Sequence, residues 1–504
     1  MSVLGFGAND FFELALALLL VGALLARAPL LNCARSLAAR PLPCMIFLAA
    51  VPIVVRLALL PRFPVPTPRV ADDFSYLLLG DTLAHFRLAN PPHPMHRFFE
   101  GVFVLQDPSW SSIFPLGQGL ALAFGELVFR LPWAGVVLSV GLLCALTYWM
   151  LRAWVDPIWA LCGGLLAALE FGPLSSWMNT YWGGAVSAIA GCLVFGALPR
   201  CRVVSSRKPD AVILGIGLSL QLLTRPFEFV LLVVVVLFFA PPRRTLAVTL
   251  LVLVPAVGLT LLQNKQVTGH WTTLPYQLSR YQYGVPATFR FQANPVPHRR
   301  LTPEQQIDYD SQVAVHDAPF DPAARVRFYR FFFLAPLYLV LPLFLPALKE
   351  ARYVRVAAAI ALFSLGDAFY PYFYPHYIAA VACLFVLVSI NGLEQLSRFR
   401  AGQEAVTFIL ALCLADFLYQ ALTPTAPDPD IATQLAKAPG KQLVFVRPGA
   451  HDWIRNAADI DTAPVVWALD LGPDEDAELR RYYPDRHVWL LEPNTPRPRL
   501  TEIR

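Results

Sequence analysis

Charged residues are scarce in this sequence. Only 15% of its 504 residues are charged, 56% are hydrophobic, and the mean hydropathy is +0.52. A soluble chain of this composition would lack the polar side chains needed to cover its own surface. The shortage of charge therefore excludes a soluble globular protein and indicates an integral membrane protein.

Paired cysteine motifs are absent and lysines are few. The eight cysteines lie in or beside apolar runs and none has C-x-x-C spacing, which argues against a disulfide framework or a zinc site. Five lysines stand against thirty-five arginines, and the net charge is +5. The basic residues lie between the apolar runs, as membrane topology requires, so we expect no nucleic-acid partner. The sequence also contains no internal repeat.

The sequence is instead rich in long apolar runs. A hydrocarbon core of about 30 Å requires about 20 apolar residues per spanning helix. The predicted spans are residues 10–26, 42–60, 132–151, 157–171, 178–198, 211–224, 227–240, 246–263, 331–348, 353–370, 375–391 and 405–421. The prediction is an all-α polytopic membrane protein with about twelve transmembrane helices.

The apolar segment 113–129 is interpreted differently. It contains Gln118 and Glu126, and if it crossed the membrane every later basic loop would fall on the wrong side. We therefore predict an amphipathic helix lying on the outer surface of the membrane.

The distribution of arginine predicts the orientation. Arg27, Arg35 and Arg40 follow the first run without an acidic residue, which is typical of a cytoplasmic loop. Both termini and two large loops, about residues 61–131 and 264–330, then lie outside, on the periplasmic side of a bacterial inner membrane. The first run lacks a basic leader and a cleavage site, so we expect it to be retained. All nine histidines fall on the external side of this topology.

The last part of the chain has a different pattern. Prolines at 424, 427 and 429 indicate a linker after the last span. Short apolar runs at 442–446, 464–469 and 487–491, with a helical pattern over 474–483, predict a small α/β appendage. The predicted domains are a transmembrane domain, residues 1–422, and a small periplasmic domain, residues 423–504.

Six charged residues lie near the predicted outer ends of spans, where charge is costly and usually functional. They are Arg56, Glu170, Arg225, Glu228, Asp367 and Asp416. A transporter needs polar groups near the midplane of the membrane. The clustering in the outer third favours an enzyme that works at the outer membrane–water boundary.

The first external loop carries two adjacent carboxylates, Asp72 and Asp73. A positioned carboxylate is a suitable general base for an attacking hydroxyl or amine. Neighbouring residues on a helix or strand point in different directions, so the two acids would have different roles. The alternative interpretation is a solvated turn or a helix N-cap.

In the order of its parts, the sequence resembles the GT-C superfamily of integral-membrane glycosyltransferases. The similar branch holds protein O-mannosyltransferases, aminoarabinose transferases and RgtA/B/C/D-like proteins. The resemblance spans roughly residues 42–391 and is carried by Asp72-Asp73 with Tyr76, Asp81-Thr82, residues 87–94, 115–119, 132–133, 177–184, 224–228 and 374–377. Two features differ: the usual acidic pair is Asp-Glu, and the next helix usually opens Tyr-Pro-Pro, whereas here it opens Ile113-Phe114-Pro115.

The resemblance implies a GT-C glycosyltransferase, with an inverting mechanism, that moves a sugar from a polyprenyl-phosphate donor to an envelope lipid, glycan or protein. We favour Asp73 as the general base, with Asp72 holding a partner or a divalent cation, and the opposite assignment stays open. Arg225 or Arg56 would stabilise the leaving phosphate. Substrate-binding candidates are Arg56, Tyr76, His93, Asn179, Tyr181, Arg225, Glu228, His376 and Tyr377.

Several of these residues also fit purely structural roles. Arg225 and Glu228 have the spacing of a structural ion pair, and His376 and Tyr377 could anchor a helix at the membrane interface. His93 and His96 have a spacing that can chelate metal, but proline lies between them and we predict no metal site. For the whole protein, the alternatives are a flippase for lipid-linked oligosaccharides and a non-catalytic membrane scaffold.

Overall fold

The computed structural model describes residues 16–18, 21–22, 27–202, 208–423, 431–449, 453–493 and 498–503. The predicted span 10–26 and the predicted linker prolines lie almost wholly outside these residues. Most of the described chain is helical. The helices are α1 (Arg27–Ala38), α2 (Pro41–Ala58), α3 (Ala71–Ala84), α4 (Leu116–Phe129), α5 (Pro132–Leu151), α6 (Pro157–Glu170), α7 (Ser176–Asn179), α8 (Ala185–Arg200), α9 (Lys208–Thr224), α10 (Pro226–Phe238), α11 (Arg243–Thr268), α12 (Pro275–Tyr283), α13 (Pro303–Asp317), α14 (Pro322–Phe328), α15 (Ala351–Ala368), α16 (Ala382–Leu396), α17 (Gly402–Leu422), α18 (Ile431–Lys437) and α19 (Pro473–Tyr482).

Within the described residues, five helical segments are long and apolar enough to cross a membrane: α2, α5, α11, α17, and α16 together with the 3-10 turn before it. α4, α6, α8 and α10 are apolar but shorter. The apolar helices indicate a multi-pass membrane protein, and the count of twelve spans stays a prediction. α4 has 14 residues, so it is about 21 Å long, and its placement on the membrane surface stays a prediction.

The helices differ in burial. Most of α5 and α16 is buried, 67% and 78% of the window that could span, so these helices form the centre of the bundle. In α2 and α11 the same fractions are 22% and 17%. An apolar helix with so little burial presents its side chains outward, as a lipid-facing helix does.

Three predicted helices differ from the structure. Over 331–348 the chain forms 3-10 segments, Tyr329–Phe332, Ala335–Leu339 and Leu341–Lys349, because the prolines there cannot donate to an α-helical ladder. The predicted helix 178–198 is broken between α7 and α8, where two glycines lie. The predicted helix 375–391 begins later, as the turn Ala379–Val381 leading into α16.

The C-terminal segment contains a four-stranded sheet. Its strands are β3 (Lys441–Val446), β4 (Val465–Leu469), β5 (Arg486–Glu492) and β6 (Arg499–Ile503), in the order β4-β3-β5-β6. β3 pairs in parallel with β4 and β5, and β6 pairs antiparallel with β5. The predicted α/β appendage is therefore confirmed, with α19 between β4 and β5, and β6 is an additional strand. A smaller pair, β1 (Val104–Leu105) and β2 (Ser111–Ser112), lies in the first large loop.

The sheet and the first large loop share one hydrophobic cluster. Leu78 of α3, Phe98, Phe99 and Trp110 pack with residues of the sheet and α19, such as Leu443. Such a continuous apolar contact fixes the sheet to the helix that carries Asp72 and Asp73.

Candidate active site

Asp72 and Asp73 lie in the first turn of α3. Carboxylates are favoured there because the unpaired N–H groups of the first turn carry partial positive charge. Consecutive residues on a helix point about 100° apart, so the two carboxylates face different surroundings. Asp73 is 4% exposed, whereas Asp72 is only partly buried.

Both carboxylate oxygens of Asp73 accept backbone hydrogen bonds. Oδ1 accepts from the N–H of Tyr181 at 2.9 Å, and Oδ2 accepts from the N–H of Arg69 at 3.1 Å. Burial raises the pKa of Asp73, and the backbone N–H groups oppose that shift. These contacts fasten the start of α3 to the chain after α7, which is a structural task.

Arg56, at the end of α2, is fully buried and its guanidinium is used by the protein itself. It donates to Asn179 Oδ1 at 3.0 Å and to the carbonyls of Phe63 and Pro64 at 2.7 and 2.9 Å. It also lies over the Trp133 ring at 4.6 Å. Arg56 therefore holds the start of the first large loop against α7 and α5.

Asn179 and Tyr181 complete this support. The Asn179 amide donates to the carbonyls of Pro173 and Ser175 at 2.9 and 2.8 Å. The Tyr181 hydroxyl donates to the Pro66 carbonyl at 2.9 Å. With Arg56 and Asp73, these residues form a buried framework behind the first turn of α3.

Asp72 lies with a different group of residues. The Tyr76 ring stacks on Phe114, with centroids 4.1 Å apart. Burial raises the pKa of Tyr76; the charge of Arg225 opposes this shift, and the charges of Asp72 and Glu228 add to it. All three charges therefore act on one tyrosine hydroxyl.

Arg225 and Glu228 form an ion pair with an N–O distance of 3.2 Å, and both are largely buried. Arg225 lies at the joint between α9 and α10, where Pro226 interrupts the helical ladder. Its guanidinium lies 4.8 Å from the centroid of the Tyr377 ring. A cation held in this way at a helix N-terminus is suited to binding an anionic group.

Aromatic side chains form one wall of the group. His376 lies 4.6 Å from Trp182, 5.6 Å from Tyr374 and 4.7 Å from Tyr377, between ring centroids. Burial raises the pKa of Tyr374, and the charge of Asp72 adds to the shift. Nδ1 of His376 is buried with no hydrogen-bond partner among the described residues.

Of the residues selected from the sequence, the structure brings together Asp72, Tyr76, Arg225, Glu228, His376 and Tyr377, called here the Asp72 cluster. His93 lies elsewhere: its Nε2 is 3.0 Å from Asp461 Oδ1, and its ring packs on Phe99 and Tyr482 at the C-terminal sheet. The described residues contain no group of three or more His, Cys, Asp or Glu side chains that could hold a metal ion.

Two residues of this region, Asp367 and Phe114, were not among the site residues predicted from the sequence. Asp367, at the end of α15, is 1% exposed and interacts electrostatically with Glu228, Arg225 and Arg325. Phe114 provides the face on which Tyr76 stacks. Asp367 had a sequence signal, as a carboxylate near a helix end, whereas an apolar phenylalanine beside a proline had none.

The fold is similar to a known structure. ArnT from Cupriavidus metallidurans bound to undecaprenyl phosphate has a TM-score of 0.56 and 12% identity, over 89% of this chain and 92% of that chain. The chain shares the overall fold of this ArnT structure. The apo state of the same ArnT has a TM-score of 0.50 and 12% identity, over 89% of this chain and 92% of that chain. The apo oligosaccharyltransferase of Archaeoglobus fulgidus gives 0.44 at 12% identity, over 90% of this chain and 69% of that chain.

The likeness lies in the structure and not in the sequence. No protein-family model matches the sequence, and no curated protein matches it. At 12% identity the likeness describes the fold alone, so the residue roles rest on the geometry of this chain.

Proposed function

We propose that this protein is a membrane glycosyltransferase that transfers a sugar from a polyprenyl-phosphate donor to an envelope lipid, glycan or protein on the periplasmic face. The main support is the Asp72 cluster, in which a partly buried carboxylate and an arginine act on the same tyrosine. A carboxylate to take a proton and a cation to hold a leaving phosphate are the two groups that such a transfer requires.

Asp72 is the general base in this proposal. Both oxygens of Asp73 are engaged by backbone N–H groups, so its carboxylate is poorly placed to accept a substrate proton. Asp72 instead interacts with Tyr76, Tyr374 and Tyr377. This reverses the assignment favoured from the sequence.

The proposed step is a single displacement at the anomeric carbon. The acceptor hydroxyl or amine attacks that carbon and gives its proton to Asp72, while the bond between the carbon and the phosphate oxygen breaks. Arg225 stabilises the charge that develops on the leaving lipid phosphate. The aromatic rings of Tyr76, His376 and Tyr377 provide faces and polar edges for the sugar. Attack opposite the leaving group inverts the anomeric centre.

The experiment that tests the base compares Asp72→Asn and Asp73→Asn in the reconstituted full chain. Transfer is measured by mass spectrometry of the glycosylated product. This product is first identified as the envelope species that a deletion strain lacks. Asp72→Asn is expected to lower kcat by about 10²–10⁴-fold at an unchanged thermal unfolding midpoint. Asp73→Asn is expected to lower that midpoint, because a buried carboxylate loses part of its hydrogen bonding.

Asp474→Asn is the matched control, since Asp474 is an exposed acid in the first turn of α19. Unchanged turnover in Asp72→Asn would overturn the assignment of the base. Loss of turnover in Asp73→Asn with a normal midpoint would restore the alternative assignment.

A second experiment tests the phosphate site with undecaprenyl phosphate as the probe. Arg225→Gln removes the cation and is expected to weaken binding by about tenfold or more, the loss of a charge-assisted hydrogen bond. Arg300→Gln is the control, because Arg300 is an exposed arginine in the second large loop. Equal retention of the lipid by both variants in native mass spectrometry would contradict the role of Arg225.

A further inference from the structure

A separate cavity lies at the opposite end of the helical bundle from the Asp72 cluster. Its volume is about 380 Å³, and it is lined by the end of α5, the start of α6, the start of α15 and the end of α16. α15 begins at this cavity and ends beside Asp367. Its 18 residues correspond to roughly 27 Å, so the cavity is no part of the proposed sugar site.

Four of the charged side chains in the cavity wall form two ion pairs. Arg352 Nε lies 2.7 Å from a Glu350 oxygen, and an Arg398 nitrogen lies 2.9 Å from a Glu394 oxygen. Each of these four side chains therefore has a partner of opposite charge, out of six charged side chains that line the cavity.

The other two charged side chains are Arg152 and Asp156. Arg152 donates to the Ala38 carbonyl at 3.1 Å and to the Tyr148 hydroxyl at 3.0 Å, but it has no carboxylate partner among the described residues. Asp156 precedes α6, and its side chain makes no capping hydrogen bond. It has no ion pair within the described part of the chain either. One cation and one anion are therefore left over in the same cavity.

Asn391 gives an independent sign of a ligand. It is 3% exposed and lines the cavity, and its side chain is hydrogen-bonded to Tyr353. Its Oδ1 is buried and has no hydrogen-bond partner among the described residues. A carbonyl oxygen can only accept, so the missing partner is a donor. Buried polar atoms are rarely left unpaired, which points to a hydrogen-bond donor bound in the cavity.

We propose that this cavity binds a phosphate–ammonium zwitterion, the headgroup of a phosphatidylethanolamine-type lipid. Arg152 binds the phosphate, and Asp156 and Asn391 Oδ1 accept hydrogen bonds from the ammonium. Pockets between transmembrane helices at the membrane boundary are where lipid headgroups bind. The equal numbers of positive and negative side chains favour a zwitterion over an anionic lipid.

Native mass spectrometry of the full chain with defined lipids tests the proposal. Phosphatidylethanolamine is expected to be retained more strongly than phosphatidylglycerol, which lacks the ammonium. Phosphatidylcholine should also be weaker, because its trimethylammonium has no N–H to donate. Arg152→Gln and Asp156→Asn should each weaken retention about tenfold, the value of one charge-assisted hydrogen bond. Arg400→Gln, an exposed arginine that does not line the cavity, should change nothing.

A soluble phosphate–ammonium compound has the same chemistry as the headgroup, so O-phosphoethanolamine is titrated in parallel. Binding of the lipid alone assigns the cavity to a membrane lipid. Comparable binding of the soluble compound, equally sensitive to Asp156→Asn, assigns it to a soluble metabolite of the same class. If Arg152→Gln unfolds the protein, Asp156→Asn still decides, since asparagine is also a good helix N-cap. Equal retention of all three lipids, or no effect of Asp156→Asn, would overturn the proposal.

Discussion

At the scale of single residues, two largely buried arginines, Arg56 and Arg225, differ in their partners. Arg56 is buried and satisfied by carbonyl and amide oxygens of its own chain. Among the described residues Arg225 contacts one carboxylate and one aromatic ring, and in the proposed function the rest of its guanidinium binds the lipid phosphate. Both were phosphate-binding candidates from the sequence, because a lone arginine near an outer helix end has the same pattern in either case.

Arg56→Lys should therefore act on stability. An ammonium cannot reach Asn179 and two carbonyls in the fixed fork of a guanidinium, so the expected cost is about 1–3 kcal/mol. The thermal unfolding midpoint in detergent is the measurement, and Arg400→Lys is the exposed control. A normal midpoint combined with lost undecaprenyl phosphate binding would instead place Arg56 in the donor site.

At the scale of secondary-structure elements, close helix contacts position the Asp72 cluster. α8 follows the loop that binds Asp73 and packs against the turn Ala379–Val381, which follows His376 and Tyr377. Gly191 makes this approach possible: an added Cβ would lie 1.8 Å from the carbonyl oxygen of Ala380. A backbone atom cannot move aside as a flexible side chain can.

Gly191→Ala is expected to destabilise the protein by about 1–3 kcal/mol, the usual cost of overpacking. Gly258→Ala is the matched control, because Gly258 also lies inside a helix but has nothing within 4 Å of the added Cβ. That variant should be neutral or slightly more stable, since alanine has the higher helix propensity. Thermal unfolding midpoints compare the two, and equal midpoints would show that α8 does not depend on this close approach.

At the scale of the whole molecule, the C-terminal sheet is bound to the helix that carries Asp72. Asp81 of α3 accepts a hydrogen bond from the Ala458 N–H at 2.7 Å, and Arg87 pairs with Asp459 at 3.0 Å. The sheet residues also share a hydrophobic cluster with Phe98 and Phe99. Deleting the C-terminal sheet would therefore expose apolar surface beside α3.

This contact should weaken in acid. Asp461 accepts from Tyr483 and lies 3.0 Å from His93; burial tends to raise its pKa, but these hydrogen bonds outweigh burial and lower it. A lowered pKa means that the stabilisation is complete above the unfolded value, about 4, and is lost as pH falls through the folded value. The hydrogen-exchange protection factors of strands β3 to β6 should therefore fall as the pH drops below about 4.

Asp461→Asn should remove most of this pH dependence, whereas Asp474→Asn, an exposed acid on α19, should keep it. The two variants share the change of charge, so a difference between them isolates the contact with His93 and Tyr483. The same acid transition in wild type and Asp461→Asn would assign the effect to other carboxylates.

The sequence by itself determined the membrane class, the positions of most helices and the strands β3, β4 and β5, because these follow from local hydrophobic patterns. It also placed the important charges at one end of the spans. Tertiary structure decided which of the two adjacent acids lies with Tyr76, Arg225 and Tyr377, since one step along a helix turns a side chain by about 100°. It also brought Arg56, Asn179 and Tyr181 into one hydrogen-bonded framework, because their partners lie far away in the sequence and only folding brings them into contact.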